Sequence, residues 1–399
     1  MIDLAAYAVV GAVAVVTTLI ATPMVRRVAI NIDAVVKPDE RRVHERPTPT
    51  LGGIAMLMGL FAGMATAWQL DAFDEIFSGS TEPLGIVLAA TLIVVIGVVD
   101  DLREVSAPAK TAGMVLAASI LVIGGTSILV LRVPFLGTFL LSADWSYLIS
   151  VIWVVGMANV INIIDGLDGL AAGIVAIAAA AFFIYSVQLA DAGLLQAGNA
   201  GPLVAVIVLA MCLGFLPFNV HPARIFMGDC GALLLGLLMA ASTMVVGGRT
   251  DQPFSGQSFF FYAPLLIPLL VLAVPIFDTA FAIVRRARRR KGLATADKDH
   301  LHHRLMRIGH GHWRSVLILW AWTALLSGLV LFPTITGRGN AFVPIGILAL
   351  ALLLFTVLHP TWSSRRSEAD PSPDQTSAAD KAAEGDDATV VDLTKRRSG

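Results

Sequence analysis

The sequence predicts an all-α integral membrane protein, a polytopic bundle of about eleven transmembrane helices with its N-terminus outside and its C-terminus cytoplasmic. Three observations carry that expectation. First, 56% of the 399 residues are hydrophobic and only 14% are charged, with a mean hydropathy of +0.78, whereas soluble domains carry roughly 25% charged residues. Second, apolar runs able to cross ~30 Å of hydrocarbon recur near residues 4–24, 51–69, 84–99, 111–131, 147–164, 170–189, 201–218, 231–247, 259–284, 315–333 and 341–359. Third, loops 25–50, 100–110, 219–230 and 285–314 carry 6, 2, 1 and 10 basic residues, while the intervening loops hold only Arg132, Arg249 and Arg338. Short loops that retain Lys and Arg are cytoplasmic, which sets the orientation.

The first run, from Leu4 to Ile20, lacks a basic leader and a small-residue cleavage site, so it reads as a first span and not as a removable signal. The loop RRVHERPTPTLGG closes on proline and two glycines, a kinked way into the second span. The third run, Leu84 to Val99, is short, and Pro264, Pro268 and Pro275 interrupt the ninth, so these two bear most on the topology. Arg285 to Lys291, RRARRRK, reads as a stop against anionic lipid head groups. Residues 1–360 form one membrane domain, followed by a polar, aperiodic tail over 361–399 that reads as disordered and cytoplasmic. The net charge of -1 argues against a nucleic-acid binder, and Cys212 and Cys230 read as free thiols. No repeat at a fixed period and no inverted pair of interrupted helices is visible, which lowers a transporter reading.

The unusual polar residues all fall on the side assigned to the cytoplasm, as expected of one site built by several segments. Asp100 and Asp101 end an apolar run; they mark a water interface, or as adjacent carboxylates share a cation or a proton. Lys110 follows within reach of phosphate oxygens. In NVINIIDGLDGLAAG, Asn159, Asn162, Asp165 and Asp168 recur every third position, neighbours on a helical surface and all oxygen ligands, with Gly166 and Gly169 allowing close backbone approach. In FNVHPARIFMGDCGALLLG, Asn219 and Phe226 precede Asp229, which suits either a helix cap or a metal ligand. His300, His302 and His303 stand beside Arg304 in the most basic loop, donors for an anionic diphosphate. Adjacent histidines without cysteine make a weak zinc pattern, and the oxygen ligands elsewhere favour magnesium.

Five segments in this order, RPTPTLGG, VVDD with Lys110 after it, NxxNxxDGLDGL, FMGDxG and HLHH, together resemble the polyprenyl-phosphate N-acetylhexosamine-1-phosphate transferase superfamily over roughly residues 41–310. The HLHHRL form and eleven spans look like the branch that uses UDP-N-acetylglucosamine rather than UDP-MurNAc-pentapeptide, and the Ala-rich chain with its polar tail is similar to actinobacterial members acting on decaprenyl phosphate. The resemblance implies transfer of a sugar 1-phosphate from UDP-N-acetylglucosamine to a polyprenyl phosphate, with release of UMP, at the cytoplasmic face of the plasma (inner) membrane. It implies Mg2+, with Mn2+ as a substitute, held by Asp229 and Asn162. Lys110 would meet the phosphates, Asp100 and Asp101 would orient or deprotonate the lipid phosphate, and Asp165 and Asp168 would line the nucleotide site. Phe226 and Asn219 would take the uracil, Asn159 would bind substrate, and His300, His302, His303 and Arg304 would close over diphosphate and sugar. A homodimer is compatible with this reading. In FMGDCGA, Cys230 and Ala232 replace hydroxyls carried by many relatives, while Asp229 is kept. A flippase and a CDP-alcohol phosphatidyltransferase are the rival readings, the first expecting carboxylates near the midplane and the second an Ala-Arg pair that this motif lacks.

Overall fold

A computed structural model of the chain describes residues 3–36, 47–103, 105–133, 137–193, 195–196, 198–247, 311–336 and 346–352. Helices dominate these residues: α1 (Leu4–Asn31), α2 (Gly52–Trp68), α3 (Asp74–Ser78), α4 (Glu82–Arg103), α5 (Ala107–Ile123), α6 (Ala143–Ile164), α7 (Leu170–Asp191), α8 (Gly201–Asn219), α9 (Gly228–Gly247) and α10 (His312–Thr336). Two small antiparallel pairs interrupt them, β1 (Val35–Val36) with β2 (Thr48–Pro49) and β3 (Val130–Val133) with β4 (Gly137–Leu140). By length and composition α1, α4, α6, α7, α8 and α9 can each cross a membrane, as can α2 if counted with the helical turn and α3 that follow it after a 98° bend. The chain is thus an all-α multi-pass membrane protein.

Side-chain exposure follows from lipid as the solvent. Val9, Val16 and Ile20 on α1, Leu84, Leu88 and Val95 on α4, and Leu148 and Ile152 on α6 are all exposed, an outward apolar face that hydrocarbon solvates as readily as a protein core would. Glycine and alanine recur on the inner faces among larger side chains such as Phe182, Phe215 and Met56, because without a hydrophobic drive between helices close packing must supply the attraction. α9 is the axis of the bundle, with 94% of its apolar window buried, and it packs against α2, α4, α6 and α8. Two glycines allow this approach: a Cβ on Gly53 of α2 would overlap the backbone of Cys230 and Gly231, and one on Gly97 of α4 would overlap the backbone of Asp229 and Cys230. Both contacts lie at the start of α9.

Three elements differ from their expected extents, the first because α1 continues past residue 24 to Asn31. The third run, short as an apolar stretch, is a 22-residue helix because Glu82 at one end and Asp100 to Arg103 at the other continue the same helical turn, giving ~33 Å of length. The fourth stops at Ile123, well before residue 131. Gly124 and Gly125 break it, the latter at φ 108, and Val130 enters a hairpin opposite Leu140. The tenth run is α10, and of the eleventh residues 346–352 are described and helical. The ninth run, with its prolines, and the tail lie outside the described residues.

Candidate active site

The site forms around the first turn of α9, whose leading N–H groups have no partner within their own helix. Asp101 supplies it: Oδ1 accepts from the Asp229 N–H at 2.9 Å and Oδ2 from the Cys230 N–H at 3.3 Å. The negative charge also sits where the helix dipole favours it. Asp100, one residue earlier in the last turn of α4, is rotated ~100° around the axis, and its Oδ1 accepts from the Val105 N–H at 2.7 Å. The two adjacent acids therefore diverge, Asp100 toward Val105 and Lys110 and Asp101 toward the start of α9.

Lys110, in the first turn of α5, gathers what Asp101 leaves. Its Nζ lies 2.8 Å from Asp100 Oδ2 and 2.6 Å from Asp229 Oδ2, and the Lys110 and Asp100 side chains are only 15% and 9% exposed. Asn162, in the last turn of α6, completes the knot by accepting from Lys110 Nζ at 2.9 Å and donating to Asp229 Oδ1 at 2.6 Å. Four helices, α4, α5, α6 and α9, thus each contribute a polar group to one point.

Asp165 follows at the C-cap of α6, at φ -75, ψ 52, and Asp168 lies in the turn before α7. The three-residue period therefore marks a common helical face only for Asn159 and Asn162; the two aspartates are placed by a loop. Among the described residues Asp165 has no hydrogen-bond partner for its carboxyl. Burial first, then the carboxylates of Asp229, Asp101 and Asp168, hold that carboxyl well above the usual carboxylate range. Such a group beside two engaged acids and an amide oxygen is an all-oxygen donor set, and it fits a hard divalent cation.

Other expected residues serve as braces. Asn219 is 2% exposed; its Oδ1 accepts from the Gly169 N–H and its Nδ2 donates to the Ile225 carbonyl, both at 3.1 Å. It ties the loop after α6 to the loop after α8 with both ends of its amide. Asn159 turns back on its own helix, donating to the Val155 carbonyl at 2.8 Å. Phe226 joins the loop before α9 to the start of α2: its N–H donates to the Pro49 carbonyl at 2.8 Å and its carbonyl accepts from the Gly52 N–H at 3.0 Å. The adjoining Gly53 N–H donates to the Met227 carbonyl at 2.9 Å, so the PTPTLGG segment is a docking strip for the α9 loop. Leu51 within it takes φ 77, a left-handed conformation costing a branched residue ~1–2 kcal/mol.

Asp168 faces a group the motifs did not single out. Its Oδ2 accepts from the Ala223 N–H at 3.0 Å and lies 2.8 Å from His221 Nδ1. The His221 ring stacks on His312, at the first residue of α10, with centroids 4.2 Å apart. These three side chains are the one set among the described residues whose His, Cys and acidic ligand atoms could hold a metal ion together. The only hint in sequence is that His221 lies within the quoted FNVHPARIFMGDCGALLLG segment and His312 a few residues after HLHHRL. His300, His302, His303 and Arg304 lie outside the described residues.

Fold and site together define a class: a multi-pass membrane protein that presents one lysine and several carboxylates at one end of its bundle, a setting for a cation and an anionic phosphate substrate. Residues 83–247, from α4 through α9, match the family model for glycosyl transferase family 4. The chain is 38% identical over 361 residues to the decaprenyl-phosphate N-acetylglucosaminephosphotransferase of Mycolicibacterium smegmatis, covering 88% of each. It is 36% identical over 309 residues to the "Probable undecaprenyl-phosphate N-acetylglucosaminyl 1-phosphate transferase" of Bacillus subtilis, 77% of this chain and 79% of that protein. Likeness falls to 29% over 327 residues with the phospho-N-acetylmuramoyl-pentapeptide-transferase of Shouchella clausii, 77% and 90% of the two chains. The chain belongs to glycosyl transferase family 4, among its polyprenyl-phosphate sugar-phosphate transferases, and is an enzyme of that transferase class.

Proposed function

We propose that the protein transfers N-acetylglucosamine 1-phosphate from UDP-N-acetylglucosamine to a polyprenyl phosphate, releasing UMP and leaving a polyprenyl diphosphate sugar, the first membrane step of a cell-wall polysaccharide. The observation that carries this reading is the knot of Lys110 with Asp100, Asn162 and Asp229 beside Asp165, whose carboxyl has no hydrogen-bond partner among the described residues. Its likeness to the N-acetylglucosaminephosphotransferase of Mycolicibacterium smegmatis supports the N-acetylglucosamine branch with decaprenyl phosphate as acceptor, and the arabinogalactan linker is the polysaccharide step this reading implies. About eleven spans, an outside N-terminus and a site on the cytoplasmic face of the plasma membrane, with residues 361–399 as a disordered cytoplasmic tail, complete the proposal on the distribution of basic residues.

In the reaction, an oxygen of the lipid phosphate bonds to the sugar-linked phosphorus as the bond from that phosphorus to the UMP oxygen breaks. Little covalent chemistry falls to the protein, so positioning and charge neutralisation dominate. Asp229, Asn162 and Asp165 would hold Mg2+, or Mn2+ in its place; when bound, the ion neutralises charge on the diphosphate. Lys110 exchanges its carboxylate partners for phosphate oxygens. Asp100 orients the lipid phosphate and takes its proton, whereas Asp101 keeps the first turn of α9, and so Asp229, in place. Asp168, Phe226 and Asn219 line the nucleotide pocket, Asn159 binds substrate, and His300, His302, His303 and Arg304 close over diphosphate and sugar.

The test is purified protein in detergent with magnesium and a polyprenyl phosphate, offered UDP-N-acetylglucosamine or UDP-MurNAc-pentapeptide in parallel. Magnesium-dependent UMP and lipid-linked sugar from the first donor alone is the expected result. Turnover of the pentapeptide donor would move the chain to the other branch, and no UMP from either with folded protein would overturn the proposal.

A further inference from the structure

We infer that His221 is a positioning residue for the donor nucleotide: it fixes the Asp168 carboxylate with one oxygen free for the ligand, and its own ring is held by His312. This role rests on the place given to Asp168 in the nucleotide pocket proposed above, and it employs two histidines that the reaction does not otherwise use. The contacts of Asp168 with His221 and Ala223 join the turn before α7 to the loop after α8.

One carboxylate oxygen does the binding inside the protein. Asp168 Oδ2 accepts from the Ala223 N–H at 3.0 Å and lies 2.8 Å from His221 Nδ1, while Oδ1 has no hydrogen-bond partner among the described residues. A carboxylate only accepts, so the imidazole proton on this side sits on Nδ1. Two donors on one oxygen fix the rotation of the carboxylate, which leaves Oδ1 to accept from a nucleoside N–H or O–H. The same loop also holds the next residue of the turn, because Asn219 Oδ1 accepts from the Gly169 N–H. Asn219, His221 and Ala223, alternate positions of one segment, thus all grip residues 168 and 169. Asn219 and Ala223 tie the loops through backbone N–H groups, whereas His221 meets Asp168 side chain to side chain. Its removal would free the carboxylate and still leave the loops fastened.

The His221 side chain is 45% exposed, so its ring needs a support to hold one orientation. His312 gives it, stacked with centroids 4.2 Å and planes 26° apart. The in-plane lone pairs of rings so nearly parallel do not converge on one ion; what His312 supplies is a face. α10 is itself seated on α7, where Trp320 Nε1 donates to the Leu170 carbonyl at 3.4 Å and the indole fills a notch that a Cβ on Gly173 would overlap. The stack therefore ties nucleotide affinity to the seating of α10.

The test is UMP binding to full-length protein in detergent by titration calorimetry, with turnover of UDP-N-acetylglucosamine as a second readout and helical circular dichroism as the folding control. His221→Ala should weaken UMP and raise the KM for the UDP-sugar at least about tenfold, the strength of a hydrogen bond to a charged group. Its kcat and its KM for the polyprenyl phosphate should stay within about threefold of native. His221→Asn, whose amide places an N–H where Nδ1–H stood, should restore UMP affinity to within about threefold. His312→Ala should weaken UMP about threefold and His312→Phe, which keeps a ring, less. The double variant of His221→Ala with His312→Ala should bind no more weakly than His221→Ala alone, since His312 acts through His221. Native UMP affinity in His221→Ala, an asparagine variant as weak as the alanine one, an equal loss in lipid KM and kcat, or additive losses in the double variant would each overturn this role. Native protein that binds no UMP would overturn it together with the nucleotide pocket. The expected UMP pattern without turnover of UDP-N-acetylglucosamine would uphold it and sink only the choice of donor.

Discussion

Replacing Lys110 by methionine keeps the stem of the side chain and deletes its charge, and the consequences can be worked from the contacts. The ammonium stands within hydrogen-bond distance of Asp100, Asp229 and Asn162, and without it those carboxylates face Asp165 and Asp101 with no cation among them. Breaking a buried pair costs about 3–5 kcal/mol. The Asp229 side chain is 33% exposed, so water screens part of that contact, and the lower bound of ~3 kcal/mol is the better figure. At roughly 2–4 °C per kcal/mol for a chain of a few hundred residues, the variant should unfold about 6–12 °C below the native protein in chelator. Divalent cation restores charge balance, so magnesium should recover much of that loss, while turnover stays roughly 10²- to 10³-fold down because the phosphates lack their donor. The assay is the fraction of protein eluting as a folded peak after heating, with and without magnesium, alongside UMP release. Native unfolding temperature in chelator together with turnover within about threefold of native would refute the role given to Lys110.

Asp165→Asn should act in the opposite sense on stability. A carboxyl held above its ordinary range in the folded protein contributes stability that is present below its unfolded pKa and lost as pH rises through the folded value. In chelator the native protein should therefore lose stability from the ordinary carboxylate range (about pH 4) upward, and the asparagine variant should be the more stable at neutral pH with a flatter profile; parallel profiles would show that the neighbouring carboxylates do not act on Asp165. Gly97→Ala places a methyl group against the backbone of Asp229 and Cys230. It should cost ~1–3 kcal/mol and lower turnover by pushing Asp101 off the first turn of α9, whereas native melting and activity would mean that α4 and α9 tolerate separation.

Much of the bundle was legible because lipid imposes long apolar runs and excludes charge, so hydropathy alone located ten of the helical segments now described, counting residues 346–352. The site was legible as a set of residue types, but their tasks were not. Asp100 and Asp101 are neighbours in sequence, and only the helical continuation past Val99 shows that they point to different partners. The hydrogen bonds of Asn219 to Gly169 and Ile225, and of Asn159 to Val155, could not be read from the sequence, because the first two partners lie in separate loops. His221 and His312 belong to no shared spacing, being 91 positions apart in the numbering, and only the docking of α10 brings their rings together. The hairpin after α5 escaped notice because its residues are as apolar as those of the helix before it.

The docking of α9 also dictates an order of assembly. The N–H groups that open α2 find their acceptors at Phe226 and Met227, and the carboxylate of Asp101 finds its donors at Asp229 and Cys230. Everything before residue 220 can thus be threaded into the bilayer by the translocation machinery and still have no working centre. A ribosome-bound chain stalled ahead of α9 already holds the residues that pair Lys110 with Asp100 and Asn162, but it lacks Asp229 and the two N–H groups that Asp101 caps. The knot of Lys110 with Asp100, Asn162 and Asp229 therefore closes only once α9, the most buried helix of the bundle, is in place.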